Sequence, residues 1–439
     1  MDTHNIPEIW GGIECSYTRV NDVYGDQLDY CGHYRRGIQD IESIAQVGFK
    51  ALRYPIIWER YKPDAHNEIS WAWVERQLNA LRHYNITPIA GLVHHGSGPI
   101  HACLTDQHFA SEIERYAGQV AEKFPWLEYY TPINEPLTTA RFCGLYGFWY
   151  PHKQNAKVFA EILLNEIKAT VLSMEAIRKI NPEAKLIQTE DLGKTYSSPL
   201  LKYQSEFENE RRWLSYDLLC GKVKQGHPMW DYLRWVGVSE KSLAFFSEHP
   251  CPPAILGLDY YATSERFLDE DMNKYPVHTH GSNGRHRYAD VEAIRVRLDE
   301  PSGPKVLLQE CWDRYKIPMA ITEVHIHGSP EEQIRWFHKI WKTCVELRKE
   351  GVDMKAVTAW AMFGSFGWSK LLTESPGEYE RGVFDVTEGY PAPTDYTNFL
   401  WKLSRKPEAT HPALEEQGWW ESEHRFIFDE NLEMTTQGK

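Results

Sequence analysis

Residues 86–134 read ITPIAGLV (86–93), then, past a polar stretch, FASEIERYAGQVAEKF (109–124), then YYTPIN (129–134). The first and last segments are short and apolar almost throughout. The middle one places apolar residues three and four apart, as the buried stripe of a helix does. A strand apolar on both faces belongs to a parallel sheet covered on its outer side, and two parallel neighbours need a crossover between them. The stretch therefore predicts a strand–helix–strand unit.

Working outward, the same alternation recurs. Upstream lie EIWGGIE ending at Glu14, GIQDIESIAQVG (37–48), FKALRYPII (49–57) and WAWVERQLNALRHYN (71–85). Downstream lie a long helical span (156–183) with an Asn-Pro stop, AKLIQTE (184–190), AILGLDYY (254–261) and IPMAITE (317–323). A helix over 331–351, closed by Gly351, leads to KAVTAWAMF (355–363). Eight apolar runs with intervening helices predict an α/β fold, the (β/α)8 TIM barrel. A doubly wound sheet is the alternative, but no glycine-rich phosphate loop follows the first run. Two inter-strand segments, about 196–249 and 264–305, are long enough to place extra helices or loops over the barrel mouth. The expected division is a catalytic barrel over residues 1–403 and a C-terminal appendage over 404–439 packed back on it. Its last residues, MTTQGK, are expected to fray.

The charge balance is 48 basic against 62 acidic residues, a formal −14. That excludes the basic footprint of a nucleic-acid binder and disfavours an anionic membrane. No apolar stretch reaches the roughly 18 residues of a transmembrane helix, and no signal peptide opens the chain, so a cytoplasmic location is expected. Eight scattered cysteines without a CxxC read as reduced structural thiols. The 17 Trp, 24 Tyr and 17 Phe serve a large core equally well, or the stacking faces of a sugar site.

Barrel chemistry sits where strands end. The run ends supply Glu14, Arg53, His94, His95, Asn134, Glu135, Glu190, Asp191, Asp259, Tyr261, Thr322, Glu323 and Trp360. Glu135 follows run four and Glu323 follows run seven, and these runs face one another across an eight-stranded barrel. Two carboxylates held roughly 5–5.5 Å apart across a sugar ring form the machinery of a retaining glycosidase. Either glutamate alone is as well explained by a salt bridge at a strand end; the pair makes the case.

These motifs resemble glycoside hydrolase family 1, the β-glucosidases and β-galactosidases. TPINEP (131–136) is similar to the family's T-x-N-E-P, and ITEVH (321–325) to its [IV]-T-E-N-G, with the Asn-Gly lost. The resemblance implies Glu135 as acid/base and Glu323 as nucleophile. It implies that Arg53 and Tyr261 touch the nucleophile, and that Asn134 contacts the hydroxyl beside the anomeric carbon. Asp259 stands at the Asn of the family's N-Y-Y. His95 is the implied sugar-binding histidine, leaving His94 to packing. WAMFGSFGW (360–368) is similar to the family's strand-eight pattern, which implies Trp360 and Trp368 as sugar contacts. RGVFDV (381–386) is similar to its closing segment.

The departures point to a remodelled −1 subsite. The family's outer-hydroxyl Gln and Glu are replaced by Thr18 and Gly367, and the Trp of its H-W motif by Gly96. Glu14 and Glu190 are expected to supply part of the missing contacts. The expected reaction is double displacement on O-glycosidic bonds, of β-glycosides with a non-standard −1 sugar, using no metal or organic cofactor. The acidic setting favours a modified neutral or amino sugar over a uronic acid at −1. The expected partner is an oligosaccharide or glycoside, with a homo-oligomer possible. Three rivals use the same residues: a non-catalytic carbohydrate-binding barrel in polysaccharide metabolism, a metal hydrolase built on His94, His95 and Asp259, and a structural partner of a polysaccharide-assembly complex.

Overall fold

The structure, a computed structural model, describes residues 6–62, 68–296 and 302–426. The tail expected to fray, MTTQGK, and the first five residues of the chain lie outside the described residues. The eight runs form a closed parallel barrel. Its strands are β1 (Glu8–Gly12), β2 (Ala51–Pro55), β3 (Thr87–His94), β4 (Tyr129–Asn134), β5 (Lys185–Asp191), β6 (Ile255–Tyr260), β7 (Met319–Val324) and β8 (Met354–Ala359). Neighbours pair in sequence order, and β8 closes on β1 through Glu8↔Ala356 and Gly11↔Ala359. Strands one and eight are shorter than their apolar runs. Strand pairing stops at Gly12 and Ala359, which frees Glu14 and Trp360 for the mouth.

One residue from each of seven strands fills the barrel floor: Trp10, Ala51, Ile89, Ile187, Ile255, Ala320 and Ala356, with Tyr129 of β4 packed against them. Alternation along β2 then points Ala51 and Arg53 inward and leaves Leu52 and Tyr54 to the helical shell. The shell follows the expected periodicity. Phe109–Lys123 buries Phe109, Ile113, Tyr116, Ala117 and Val120 on one face. Ala156–Ile180 begins at Asn155, whose side chain accepts the Lys157 and Val158 amides. Pro330–Lys349 begins at Ser329 with proline at its first position.

Of the long segments, the first carries helices Lys202–Arg211, Leu214–Leu219, Trp230–Trp235 and Glu240–Glu248, as expected of extra helices. The second, expected as helices or loops, instead builds strands and single 3-10 turns. Glu265–Asp269, His280–Ser282 and Arg287–Glu292 join Lys194–Ser197 in a four-stranded sheet. Past the last helix, Asp395–Leu403, the chain lies on Pro330–Lys349. Trp341 donates to the Pro407 carbonyl at 3.2 Å, Arg335 to the Ala413 carbonyl at 2.7 Å, and Trp336 meets Trp420 edge-on at 4.9 Å. Among the described residues no helix is long and apolar enough to cross a membrane. All eight cysteines are free thiols.

Candidate active site

Glu323 closes β7 at a bulge. Ile321 pairs with Leu258, yet Glu323 pairs with Asp259, so one extra residue sits between them. Bulges re-aim side chains at barrel rims. Arg53 Nη1, pointing inward from β2, donates to Glu323 Oε1 at 2.8 Å and to the Thr322 carbonyl at 3.1 Å. Its other arm donates to the Asn134 side-chain oxygen. Tyr261 donates its hydroxyl to the second Glu323 oxygen. Burial pushes the Arg53 guanidinium down, but Glu323 and Asp259 more than offset that, and its pKa ends above the ordinary value. It is a permanent cation.

Glu135 follows Asn134 in a left-handed conformation, φ 43°, and opens the helix Pro136–Ala140. His95 Nε2 stands 3.3 Å from its carboxylate, and His95 Nδ1 lies 3.0 Å from the Thr139 hydroxyl. Both glutamates are inside the protein, at 2% exposure for Glu323 and 6% for Glu135. They share one electrostatic neighbourhood. Burial first, then the charges of Glu323 and Glu135, raise the Asp259 carboxyl well above its ordinary range. Burial, Glu323, Asp259 and Glu135 do the same to the Tyr261 phenol.

Most of the expected residues come together, but Thr18, Asp259, His94 and Glu190 do not take the expected places. Thr18 is not among the cluster. It sits on the hairpin Tyr17–Val20/Val23–Asp26 opposite Gly25, and does not line the cavity at the mouth. Threonine is too short to reach further. Glu14 takes the central place instead. Its Oε2 accepts the indole N–H groups of Trp360 at 3.3 Å and Trp368 at 3.2 Å, and its Oε1 lies 4.0 Å from His94. Asp259 is fully buried beneath Glu323, bonded to the Thr322 hydroxyl at 2.6 Å, rather than presented to a substrate. His94, read as a packing residue, reaches the centre. It lies 4.0 Å from Glu323, 3.2 Å from the Asn134 amide, and stacks on Trp360 at 5.6 Å. Two adjacent histidines at a strand end gave no sequence signal for which would turn inward.

Trp360 lies flat because position 12 is glycine: a Cβ there would meet its ring at 2.4 Å. Gly367 cannot host the family's glutamate as placed. It has φ 78°, and a Cβ would stand 3.0–3.1 Å from the Pro376 and Glu374 carbonyls. Glu190, on β5, turns to the backbone. It accepts the Leu137 amide at 2.7 Å and the Ser215 hydroxyl, and burial lifts its carboxyl to about 7. Beyond Glu135, Tyr261 and Trp368 opens a cavity of about 620 Å³, walled by residues 137–148, the four-stranded sheet and residues 368–373.

The family model for glycosyl hydrolase family 1 matches residues 13–377, most of the chain. The protein belongs to glycosyl hydrolase family 1. Among relatives, the family 1 chain is 25% identical over 395 residues to a phospho-cellobiase of Klebsiella oxytoca, spanning 80% of this chain and 82% of that protein. It is 26% identical over 395 residues to β-glucosidase A of Thermotoga maritima, spanning 81% and 83%. A solved β-glucosidase from Thermotoga maritima in complex with deoxynojirimycin superposes with a TM-score of 0.69 at 19% identity, covering 91% of this chain and 97% of that one. The family 1 assignment makes the protein a glycoside hydrolase, an enzyme acting on carbohydrate. Among the described residues no group of three or more His, Cys, Asp or Glu side chains is arranged to hold a metal ion.

Proposed function

We propose that this family 1 enzyme is a retaining β-glycosidase with Glu323 as nucleophile and Glu135 as acid/base, acting on a −1 sugar other than plain glucose. The observation that carries the mechanism is the unlike setting of the two glutamates. Glu323 holds an arginine at 2.8 Å and a tyrosine hydroxyl, partners suited to a carboxylate. Glu135 has the His95 ring beside it and lines the open cavity, where a leaving group has room. Glu323 attacks the anomeric carbon while Glu135 gives its proton to the departing oxygen, and the C–O bond to the aglycone breaks as the ester bond forms. Glu135, now a carboxylate, then takes a proton from water. That water's oxygen attacks the anomeric carbon and frees Glu323 with retained configuration. Arg53, fixed to both Glu323 and Asn134, locks the nucleophile to the residue preceding the acid/base.

The −1 preference rests on this chain's own side chains. Thr18 stays away from the cluster, Gly367 offers no side chain, and the Glu14 carboxylate occupies both tryptophan N–H groups. Long acceptors for the outer hydroxyls of glucose are missing, and a modified neutral or amino sugar fits the changed donor and acceptor set better. The test is mechanism-based labelling with 2-deoxy-2-fluoro aryl glycosides of several sugars. The reading expects a glycosyl ester on Glu323 by peptide mass mapping, and no label in Glu323→Gln. A turning-over enzyme labelled elsewhere, or fully active as Glu323→Gln, overturns it. A preference for unmodified β-glucoside over the modified sugars would overturn the specificity alone.

A further inference from the structure

The cavity next to Glu135 has an arginine, Arg141, with no carboxylate within 4.0 Å among the described residues. Glu135, Thr138 and Arg141 all line it, three residues apart on one face of the turn that follows the candidate acid/base. Arg141 Nη2 donates to the Thr138 hydroxyl at 3.3 Å, and its buried Nε has no partner. The cavity's other arginines each hold a carboxylate within 4.0 Å, for instance Arg266 with Asp290 at 2.8 Å and Arg212 with Glu310 at 2.5 Å. Among the described residues Arg141 has none. The acids that act on it from farther away are spoken for locally: Asp191 by the Ser264 hydroxyl, Glu190 by Leu137 and Ser215, Glu208 by the Thr195 hydroxyl.

The guanidinium is partly exposed, and Tyr146, Asp191, Glu190 and Glu208 hold its charge from a distance against the cost of burial, yet no carboxylate bonds its fork, which leaves it able to pair with an anion. Its planar fork matches carboxylate and phosphate oxygens. Beside it stand Phe142, Tyr146 and Phe148, ring centroids 5.5–5.8 Å apart, with Tyr146 and Phe148 each 37% exposed. Such faces stack on a sugar or aryl ring. Glu135 protonates the leaving oxygen in the mechanism above, so this side of the cavity receives the aglycone. We propose that Arg141 is a specificity residue for the leaving group, and that the natural aglycone is a ring bearing an oxyanion. This rests on the assignment of Glu135 as acid/base. It concerns the aglycone and leaves the −1 sugar as argued above.

The test uses the full chain and three matched β-glycosides of the sugar that labels Glu323 best, with glucose only if none labels better: 4-carboxyphenyl, its neutral isostere 4-carbamoylphenyl, and 4-phosphooxyphenyl. Affinity is read from tryptophan fluorescence and hydrolysis from aglycone release. At least one anionic glycoside is expected to bind about tenfold more tightly than the amide, since charge-assisted bonds exceed neutral ones by about that factor. Which one does so decides between carboxylate and phosphate. The advantage should vanish in Arg141→Gln and survive in part in Arg141→Lys, with circular dichroism checking that both variants fold. Equal affinity for charged and neutral ligands in the unaltered enzyme, an advantage that persists in folded Arg141→Gln, or no binding of any of the three overturns the proposal. Hydrolysis without charge preference sinks this inference alone. Arg141-dependent binding with no hydrolysis and no labelling of Glu323 sinks the catalytic reading and leaves the anion site standing.

Discussion

Glu14 accepts the Trp368 indole N–H at 3.2 Å, above the seam where β1 and β8 pair. The same oxygen takes the Trp360 N–H at 3.3 Å, while Glu14 Oε1 accepts the Ser16 amide at 2.9 Å. One side chain thus sets two tryptophans of the candidate −1 subsite.

Glu14→Ala should therefore cost twice. Two indole N–H groups lose their acceptor, at about 1–3 kcal/mol for each buried donor left unpaired. The sugar platform loses its anchor, so kcat/KM on the best substrate should fall by about tenfold or more. Glu14→Gln keeps an acceptor and should recover most of the stability. Thermal unfolding and kinetics on the three proteins check this. A Glu14→Ala enzyme with unchanged stability and kcat/KM would remove Glu14 from the site.

The barrel was legible because strands buried on both faces are written as unbroken apolar runs, and the observed strands fall within a few residues of them. The grouping of Asn134, Glu135, Tyr261 and Glu323 was legible for the same reason: each ends or directly follows a run, while Arg53 lies within one and joins them by strand alternation. What was not legible depends on geometry at the mouth. Nothing in the spacing of ITEVH announces the extra residue that re-aims Glu323. Thr18 was placed by motif alignment alone, and the loop carries Glu14 inward instead. The sheet joining Lys194–Ser197 to Glu265–Asp269 pairs short strands distant in sequence, which leave no periodicity to read. Arg141 is one arginine among many until the fold shows that, among the described residues, no carboxylate bonds it.

Arg53→Lys tests whether the fork matters or only the charge. Arginine reaches Glu323 and Asn134 at once, and stacks over the Trp360 ring at 4.7 Å. Lysine is a point charge and cannot hold both. A fall in kcat of about 100-fold, or about 2.7 kcal/mol, is expected with a smaller change in KM. A variant within about twofold of the parent in kcat would show that positioning by the fork contributes nothing.

Glu135→Gln should slow substrates with poor leaving groups by about 10²–10⁴-fold, while aryl glycosides that leave unaided keep a fast first step. Breakdown of the glycosyl-enzyme then limits turnover, because no base remains to activate water. Azide needs no deprotonation, so it should accelerate the variant and yield a β-glycosyl azide, detectable by NMR. Indifference to both leaving group and azide would exclude Glu135 as the acid/base.

Glu59 carries a pH dependence of stability that has nothing to do with turnover. Position 96, where family members place tryptophan, is glycine, and a Cβ there would come within 1.9 Å of the Glu59 carboxylate that fills the space. Glu59 Oε1 accepts the Gly98 amide at 2.9 Å, and Oε2 is buried without a partner. Burial, against the opposing pull of its own backbone amide and that of Gly98, raises its carboxyl from the ordinary 4.5 to about 7. Between those values the folded state holds a proton that the unfolded chain has lost. The stabilisation is therefore complete below the unfolded value and disappears as pH rises through the folded one, a change on the order of 3 kcal/mol. Glu59→Gln mimics the protonated acid at every pH. The variant should show a flatter fall in unfolding free energy from about pH 5 to about pH 8, and should be the more stable protein at the upper end. Urea denaturation at the two pH values measures both quantities. An equally steep fall in the variant would mean that Glu59 does not titrate in this range and that its carboxylate is stabilised by more than the two backbone amides of Glu59 and Gly98.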